Sequence, residues 1–353
     1  MTHQKCVACE GSGRVATYPV RMARSHLTLA ALATSAVAGL DIVTASTFKG
    51  GGESDFDSAL LTSRDGSHLI IRVPRTQRAE AQQSADLVAL RALSAGVRSR
   101  LPFAVSSYLG QTPISGTRAV VYEFVYGTKL HLADLTGGPD GLASSVGTAI
   151  GALHSLQTSF VADAGLPILT PIDCLRSAVS VMDRAAATGL VPVSLLQRWT
   201  SATEDTTLWQ FQPTVINNTL SADAFLASGN EITGLLGWHE LRVGDPARDL
   251  FWLLGATGEQ VADSAFDAYL AARPGDRQVK QRALLYAELE IAKWLLHGTD
   301  TRSTEIVDDA VEMLSGLVDS VENDVMNPIA AQHMPTMAID EVEEFLEQSK
   351  RAV

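Results

Sequence analysis

The chain has 353 residues, of which 46% are hydrophobic and 19% charged, and its formal net charge is −13. This length is sufficient for two lobes or domains with a sizeable buried core. Nucleic-acid binders need a basic face for the phosphates, so the acidic charge argues against that class of partner. Three cysteines are too few for a disulfide framework and indicate a reducing, cytoplasmic compartment. No apolar run is long enough to span a bilayer, so we expect no membrane partner.

Two features of the N-terminus have more than one interpretation. Cys6 and Cys9 form a C-x-x-C motif, which supplies two of the four ligands that a structural zinc site needs. Residues 21–40 resemble a signal peptide, with a basic start, an apolar middle and small residues near the end. Their apolar residues also recur at helical spacing behind Ser25, a good N-cap, and this favours a short amphipathic helix. We therefore expect a flexible extension over residues 1–24, with a helix after it.

Strand signals dominate the next hundred residues. Four strand-like runs and one helical run follow in order: strands at 57–63 and 67–73, a helix at 78–96, and strands at 103–111 and 117–127. The first two strands flank Arg64-Asp65-Gly66, and Asp-Gly between alternating apolar runs predicts a β-hairpin. The order predicts an N-terminal lobe over residues 25–127, built mainly of antiparallel sheet with one packed helix.

The rest of the chain is mostly helical. Helices are predicted at 144–156, 172–189, 193–204, 247–256, 265–273, 281–298 and 306–321, with a short β interlude at 212–238. We expect a helical C-terminal lobe over residues 128–326, a tail over 327–353 and a hinge near 124–128. A cleft between two such lobes is the usual place for a ligand.

This arrangement resembles the two-lobed protein-kinase-like fold, an α+β architecture, and more narrowly the aminoglycoside and macrolide phosphotransferase family. Six segments carry the resemblance: "LIIRVPR" (69–75), "AVVYEFVYG" (119–127), "IGALHSL" (150–156), "PTVINNTLSADAFLA" (213–227), "ITGLLGW" (232–238) and "RVGDPARDLFWLL" (242–254). The last is the most specific. The resemblance implies ATP- or GTP-dependent phosphoryl transfer to a small molecule, in which magnesium and fixed donors neutralise the charge on the phosphoryl oxygens.

In that family, an H-G-D motif, a later Asn and an Asp before a Trp carry the chemistry. The first Asp positions and deprotonates the substrate hydroxyl, and the other two residues hold magnesium. The same register places Asn217 at the His, Thr219 at the catalytic Asp, Ala224 at the Asn and Gly237 at the second Asp. Threonine cannot act as a base near neutral pH, and Ala and Gly offer no side-chain oxygen to a metal. The resemblance therefore predicts a catalytically impaired, pseudokinase-like member and does not support a magnesium site.

Two other functions remain open. Asp223 and Glu240 lie close in sequence to the substituted metal positions, and His239 offers a potential base. If the two carboxylates reach a metal, the protein is an active ATP- or GTP-dependent O-phosphotransferase; otherwise they are solvated loop residues. The third hypothesis is an interaction scaffold with no ligand and an unknown protein partner.

The resemblance also implies a nucleotide site. Arg72 stands at the phosphate-binding Lys, and Asp86 stands at the helix Glu that pairs with it. The hinge backbone at Glu123–Val125 would receive an adenine or guanine ring. Asp245 and Asp249 are expected to cap the helix that follows them and to hold the loop. His154 is expected to be a core or a capping histidine.

Overall fold

The computed structural model describes residues 24–48, 55–258, 260–323 and 329. Cys6 and Cys9, and with them the zinc hypothesis, lie outside the described residues, as does almost all of the predicted tail. The described chain divides into two compact units. The first contains the residues up to Glu80 together with Leu109–Tyr122, and the second contains Ala81–Tyr108 and the residues from Glu123 onward.

Strands dominate the first part of the chain and helices the second. The strands are β1 (Ile42–Thr47), β2 (Phe56–Ser63), β3 (His68–Pro74), β4 (Ala104–Val105), β5 (Tyr108–Ile114), β6 (Thr117–Glu123), β7 (Thr128–Lys129), β8 (Thr214–Ile216), β9 (Phe225–Ser228), β10 (Glu231–Leu235) and β11 (Arg242–Gly244). The α-helices are α1 (His26–Ala36), α2 (Gln77–Ala92), α3 (Ala95–Arg98), α4 (Leu142–His154), α5 (Ser159–Asp163), α6 (Pro171–Ala186), α7 (Val193–Glu204), α8 (Val261–Ala272), α9 (Val279–Thr301) and α10 (Thr304–Asn323). Short 3-10 helices lie at Leu132–Asp134, Ala222–Ala224, Pro246–Asp249 and Phe251–Gly255. The predicted α+β class is confirmed.

The first unit is a five-stranded sheet in the order β1-β2-β3-β6-β5. Strands β2 and β3 form the predicted antiparallel hairpin, and Gly66 in its turn has a φ of +86° that favours glycine. The sequence does not predict β1, which pairs with β2 at the edge of the sheet. Four of its six residues are exposed, so no apolar alternation marks it.

Helix α1 packs on this sheet through Leu29 and Ala33. The Ser25 hydroxyl accepts the Thr28 N–H at 3.2 Å, which confirms the predicted N-cap. Leu29 and Ala33 are fully buried in a cluster with Ile71 and other apolar residues of the sheet. The helix ends at Ala36, shorter than the predicted helix.

The chain between the predicted hairpin and the two later strands differs from the sequence-based prediction. Helix α2 ends at Ala92 rather than Gly96, because the Ser94 side chain accepts the Val97 N–H and starts helix α3. Strand β4 pairs in parallel with β10, so residues 81–108 belong to the second unit. The compact units therefore do not coincide with the predicted 25–127 and 128–326 lobes.

The second unit combines helices with two small sheets, β4-β10-β9-β7 and β11-β8. The predicted helix at 247–256 was wrong in type, since two 3-10 helices form there. Asp245 caps the first of them by accepting the Ala247 N–H at 2.9 Å, and its other oxygen accepts the Arg282 guanidinium at 2.8 Å. Both charged side chains are fully buried, so this ion pair fixes the turn against helix α9. Within the described residues, no helix is both long and apolar enough to cross a membrane.

Gly147 provides a test of the packing between α4 and α8. A Cβ at this position would collide with the backbone carbonyl of Ala265, whereas a Cβ at Gly316 in α10 would meet nothing within 4 Å. We expect Gly147→Ala to lower the free energy of unfolding by about 1–3 kcal/mol through overpacking. The matched control Gly316→Ala should raise it by about 0.5–1 kcal/mol, because alanine is the better helix former. Urea unfolding of both variants measures the difference, and equal effects of the same sign would contradict the packing.

Candidate active site

The site is built on the loop that leaves strand β8. Its first residue, Asn217, is fully buried, and its side-chain amide donates to the Gly237 carbonyl at 2.8 Å. The Asn217 Oδ1 accepts the Thr219 hydroxyl at 2.9 Å. One amide therefore joins two of the positions that the sequence assigns to the catalytic motif. Asn218, between Asn217 and Thr219, has a φ of +70°, in the left-handed region that asparagine tolerates better than most residues.

Asp249 holds this loop through hydrogen bonds to its backbone. Its Oδ2 accepts the Asn217 N–H at 2.7 Å, and its Oδ1 accepts the Asn218 N–H at 2.6 Å. Asp249 is fully buried, where hydrogen bonds to a carboxylate are strong. The predicted role of Asp249 in holding the loop is confirmed, whereas its predicted helix cap is wrong, since the 3-10 helix Phe251–Gly255 begins without a side-chain cap.

His154 is the third member of this buried group. Its Nε2 lies 3.2 Å from Asp249 Oδ2, and its Nδ1 lies 3.1 Å from the Tyr269 hydroxyl. Burial lowers the pKa of His154 below its ordinary value of 6.5, against the opposing effect of Asp249. The imidazole is thus favoured in its neutral form, and the predicted core position is confirmed.

The other two motif positions lie beside the same loop. Ala224 ends a 3-10 turn, and its carbonyl accepts the Leu236 N–H at 2.9 Å. Gly237, the residue after Leu236, is exposed and has a φ of +75°. The structure therefore links Asn217 directly to Thr219 and Gly237, and links Ala224 to Leu236 beside Gly237.

These residues do not fit magnesium. The motif positions offer a hydroxyl but no carboxylate, and magnesium prefers carboxylate ligands. Asp223 is exposed and accepts the Ser221 hydroxyl, while the Glu240 carboxylate pairs with Arg242. Among the described residues, no group of three or more His, Cys, Asp or Glu side chains is arranged to hold a metal ion.

Asp86 has a partner that the sequence does not reveal. Its Oδ1 accepts the backbone N–H of Trp238 at 2.8 Å, the residue directly after Gly237. Asp86 and Trp238 both lie in the second unit. Arg72 lies on β3 in the first unit, and its guanidinium is 4.0 Å from the centre of the Phe56 ring. The spacing in the sequence identified Asp86 as a site residue but did not identify this partner.

The hinge backbone is anchored to the segment before β5. The Glu123 N–H donates to the Ser107 carbonyl at 2.8 Å, and the Glu123 carbonyl accepts the Ser106 hydroxyl at 2.7 Å. Glu123 is exposed, and Val125 is buried against Gly234 of β10. The hinge is therefore fixed in place, and its role toward a nucleobase stays a prediction.

The neutral state of His154 makes a prediction about pH. As the pH falls below about 6.5, the unfolded chain takes up a proton at this histidine while the native chain resists it, so stability is lost. The variant His154→Gln lacks this group. We expect the stability advantage of the wild type over His154→Gln to be constant above neutral pH and to shrink below it. Urea unfolding between about pH 8 and about pH 5 tests this, and a difference independent of pH would contradict it.

Comparisons with known proteins identify the family. The model of the "Phosphotransferase enzyme family" matches residues 46–286. The uncharacterized protein YcbJ of Bacillus subtilis (strain 168) is 23% identical over 220 residues, which are 61% of this chain and 72% of YcbJ. The macrolide 2'-phosphotransferase MphH from Brachybacterium faecium has a TM-score of 0.66 at 20% identity, covering 82% of this chain and 98% of MphH.

Two further solved structures share the kinase-like fold. Macrolide 2'-phosphotransferase type I has a TM-score of 0.63 at 23% identity, covering 83% of this chain and 99% of its own. The GDP complex of aminoglycoside 2'-phosphotransferase-IIIa has a TM-score of 0.64 at 18% identity, covering 85% of this chain and all of its own. These folds agree with the resemblance predicted from the motifs, and the family model matches more than half of the chain. The chain therefore belongs to the phosphotransferase enzyme family, whose structural neighbours include macrolide and aminoglycoside phosphotransferases.

Proposed function

We propose that this protein is a catalytically impaired, pseudokinase-like member of the family that binds a nucleotide or another small molecule. One observation carries the proposal: Thr219 and Gly237 both bind Asn217, Ala224 binds Leu236 next to Gly237, and none of the three substituted residues has a carboxylate. Phosphoryl transfer depends on magnesium and positioned donors to stabilise the transferred group. A site without metal ligands and without a base at the position of the catalytic Asp lacks both means.

Binding does not require the missing groups. A nucleobase would be recognised by hinge backbone at Glu123–Val125, which needs no particular side chain. The related aminoglycoside 2'-phosphotransferase-IIIa is solved with GDP and APH(2'')-Ib with ADP, which supports a purine nucleotide as the ligand class. We expect Arg72 to contact phosphate oxygens, since a guanidinium keeps its charge and binds them well.

The few cysteines, of which Cys174 is buried and free, support a cytoplasmic location.

In the active alternative, Asp223 or Glu240 would supply the carboxylate for the metal. Asp223 accepts the Ser221 hydroxyl with one oxygen, and Glu240 pairs with Arg242, a partner that would compete with a metal for its carboxylate. Breaking the pair with Arg242 leaves a half-buried guanidinium without that partner, which opposes the change. The alternative would make the protein an O-phosphotransferase of a small hydroxylated substrate, of the macrolide or aminoglycoside type named for the relatives.

A nucleotide titration tests the proposal. We expect ATP or GTP to raise the melting temperature both with magnesium and with EDTA, because the described site offers no metal carboxylates. We also expect no transfer of label from γ-labelled ATP or GTP to aminoglycosides, macrolides, sugars or cell extract. Magnesium-dependent transfer would establish the active alternative. The absence of any thermal shift with either nucleotide would favour an interaction scaffold instead.

Restoring the missing groups gives a second prediction. The triple variant Thr219→Asp, Ala224→Asn and Gly237→Asp re-creates the family's chemical set. A Cβ at Gly237 meets nothing within 4 Å, and Asp accepts the strained backbone there, with its φ of +75°, better than most residues. We expect magnesium to tighten ATP or GTP binding to this variant by about tenfold or more, a gain of about 1.4 kcal/mol, measured by calorimetry.

The control for this experiment replaces Gly237→Asp by Gly237→Asn in the same triple variant. Asparagine has the same size and the same tolerance for a positive φ, but it carries no charge. Magnesium should tighten binding less with this control. An equal gain in both variants would show that the restored carboxylate is not the metal ligand.

A further inference from the structure

One peptide group in the site is held at both ends by side chains. The carbonyl of Gly237 accepts the Asn217 amide at 2.8 Å, and the N–H of the same peptide, contributed by Trp238, donates to Asp86 at 2.8 Å. Asn217 and Asp86 stand at the family's His and helix Glu positions. They come from the loop after β8 and from helix α2, so two separate elements fix one peptide bond.

The position of this peptide explains why it needs to be held. Gly237 is exposed, has a φ of +75° and has no side chain to contact its surroundings. Glycine loses more conformational freedom on ordering than any other residue. In a site with a metal, a carboxylate at this position would be restrained by coordination. Here only the backbone and its neighbours can supply the restraint.

The neighbours of the peptide are themselves well fixed. Trp238 is 1% exposed, and its indole N–H donates to the Leu235 carbonyl at 3.2 Å. Asp86 is half-buried and is followed in the same helix by the buried residues Leu87 and Leu90. A carboxylate is a stronger acceptor for an N–H than a neutral oxygen, so the Asp86 bond is a strong one.

We infer that Asp86 is a positioning residue that, together with Asn217, orients the Gly237–Trp238 peptide and keeps the motif loop ordered without a metal. Asn217 also binds Thr219, and Ala224 binds Leu236, so the orientation of this peptide extends to all three substituted positions. Asp86, which stands at the family's glutamate position, thus accepts a backbone N–H of the second unit. An effect of Asp86 on nucleotide affinity rests on the proposed function. Its effect on the order of the loop does not depend on that function.

Hydrogen exchange at the Trp238 amide tests the clamp directly. In Asp86→Ala we expect this N–H to exchange about tenfold faster or more, as the loss of a charge-assisted hydrogen bond implies. Asp86→Asn should recover part of the protection, because its amide oxygen still accepts. Asp267→Ala, which removes an exposed aspartate from helix α8, is the matched control and should leave the Trp238 exchange unchanged.

The same variants separate the clamp from ligand binding. If the wild type binds ATP or GTP in EDTA, we expect Asp86→Ala to weaken that affinity by about tenfold and Asp86→Asn by less. If the wild type binds neither nucleotide, the proposed function fails while the exchange experiment still decides the clamp. Unchanged Trp238 exchange in a folded Asp86→Ala protein would overturn the inference, as would an Asp86→Asn protein with no recovery of protection.

Discussion

The buried carboxylate of Asp249 fixes the loop on which the rest of the site depends. It accepts two consecutive backbone N–H groups, at Asn217 and Asn218, and contacts His154 with the oxygen that binds Asn217. Asn218 has a positive φ, a conformation that is uncommon for residues other than glycine and that the two hydrogen bonds help to hold. Asp249 is in turn placed by the 3-10 turn that Asp245 caps, and Asp245 is bound by the buried Arg282. The loop is therefore anchored through a series of charge-assisted contacts to helix α9.

This arrangement separates the groups that hold the site from the groups that would act in it. Asn217 and Asp249 are fully buried and bind backbone atoms, so their removal would disturb the fold. Thr219 and Gly237 are exposed. They still contact the framework, since the Thr219 hydroxyl and the Gly237 carbonyl both bind Asn217. Buried side chains therefore hold the loop, and the exposed residues that they bind face the solvent.

Local patterns predicted most of the elements, and long-range contacts account for the failures. The β2–β3 hairpin, the Ser25 cap and the loop-holding role of Asp249 all follow from short stretches of sequence or from the family motif. The pairing of β4 with β10 and the bond from Asp86 to Trp238 join residues more than a hundred positions apart. No local periodicity encodes such partners. The end of helix α2 was missed for a different reason, because the serine cap of helix α3 lies only two residues later and competes with the helical pattern.

The charge balance of the site changes together with its metal ligands. In a phosphotransferase, magnesium offsets the repulsion between phosphate oxygens and the carboxylates that hold the metal. In the predicted register, Gly237 replaces an aspartate and removes one negative charge, whereas Ala224 replaces a neutral asparagine and leaves the charge unchanged. The nearby carboxylates of Asp86 and Asp249 accept backbone N–H groups, which stabilise their negative charge locally. Under the proposed function, a phosphate-bearing ligand would lose the metal together with one carboxylate that repels its oxygens. The substitutions proposed there would therefore weaken phosphoryl transfer, which needs the cation in the transition state, more than they weaken binding.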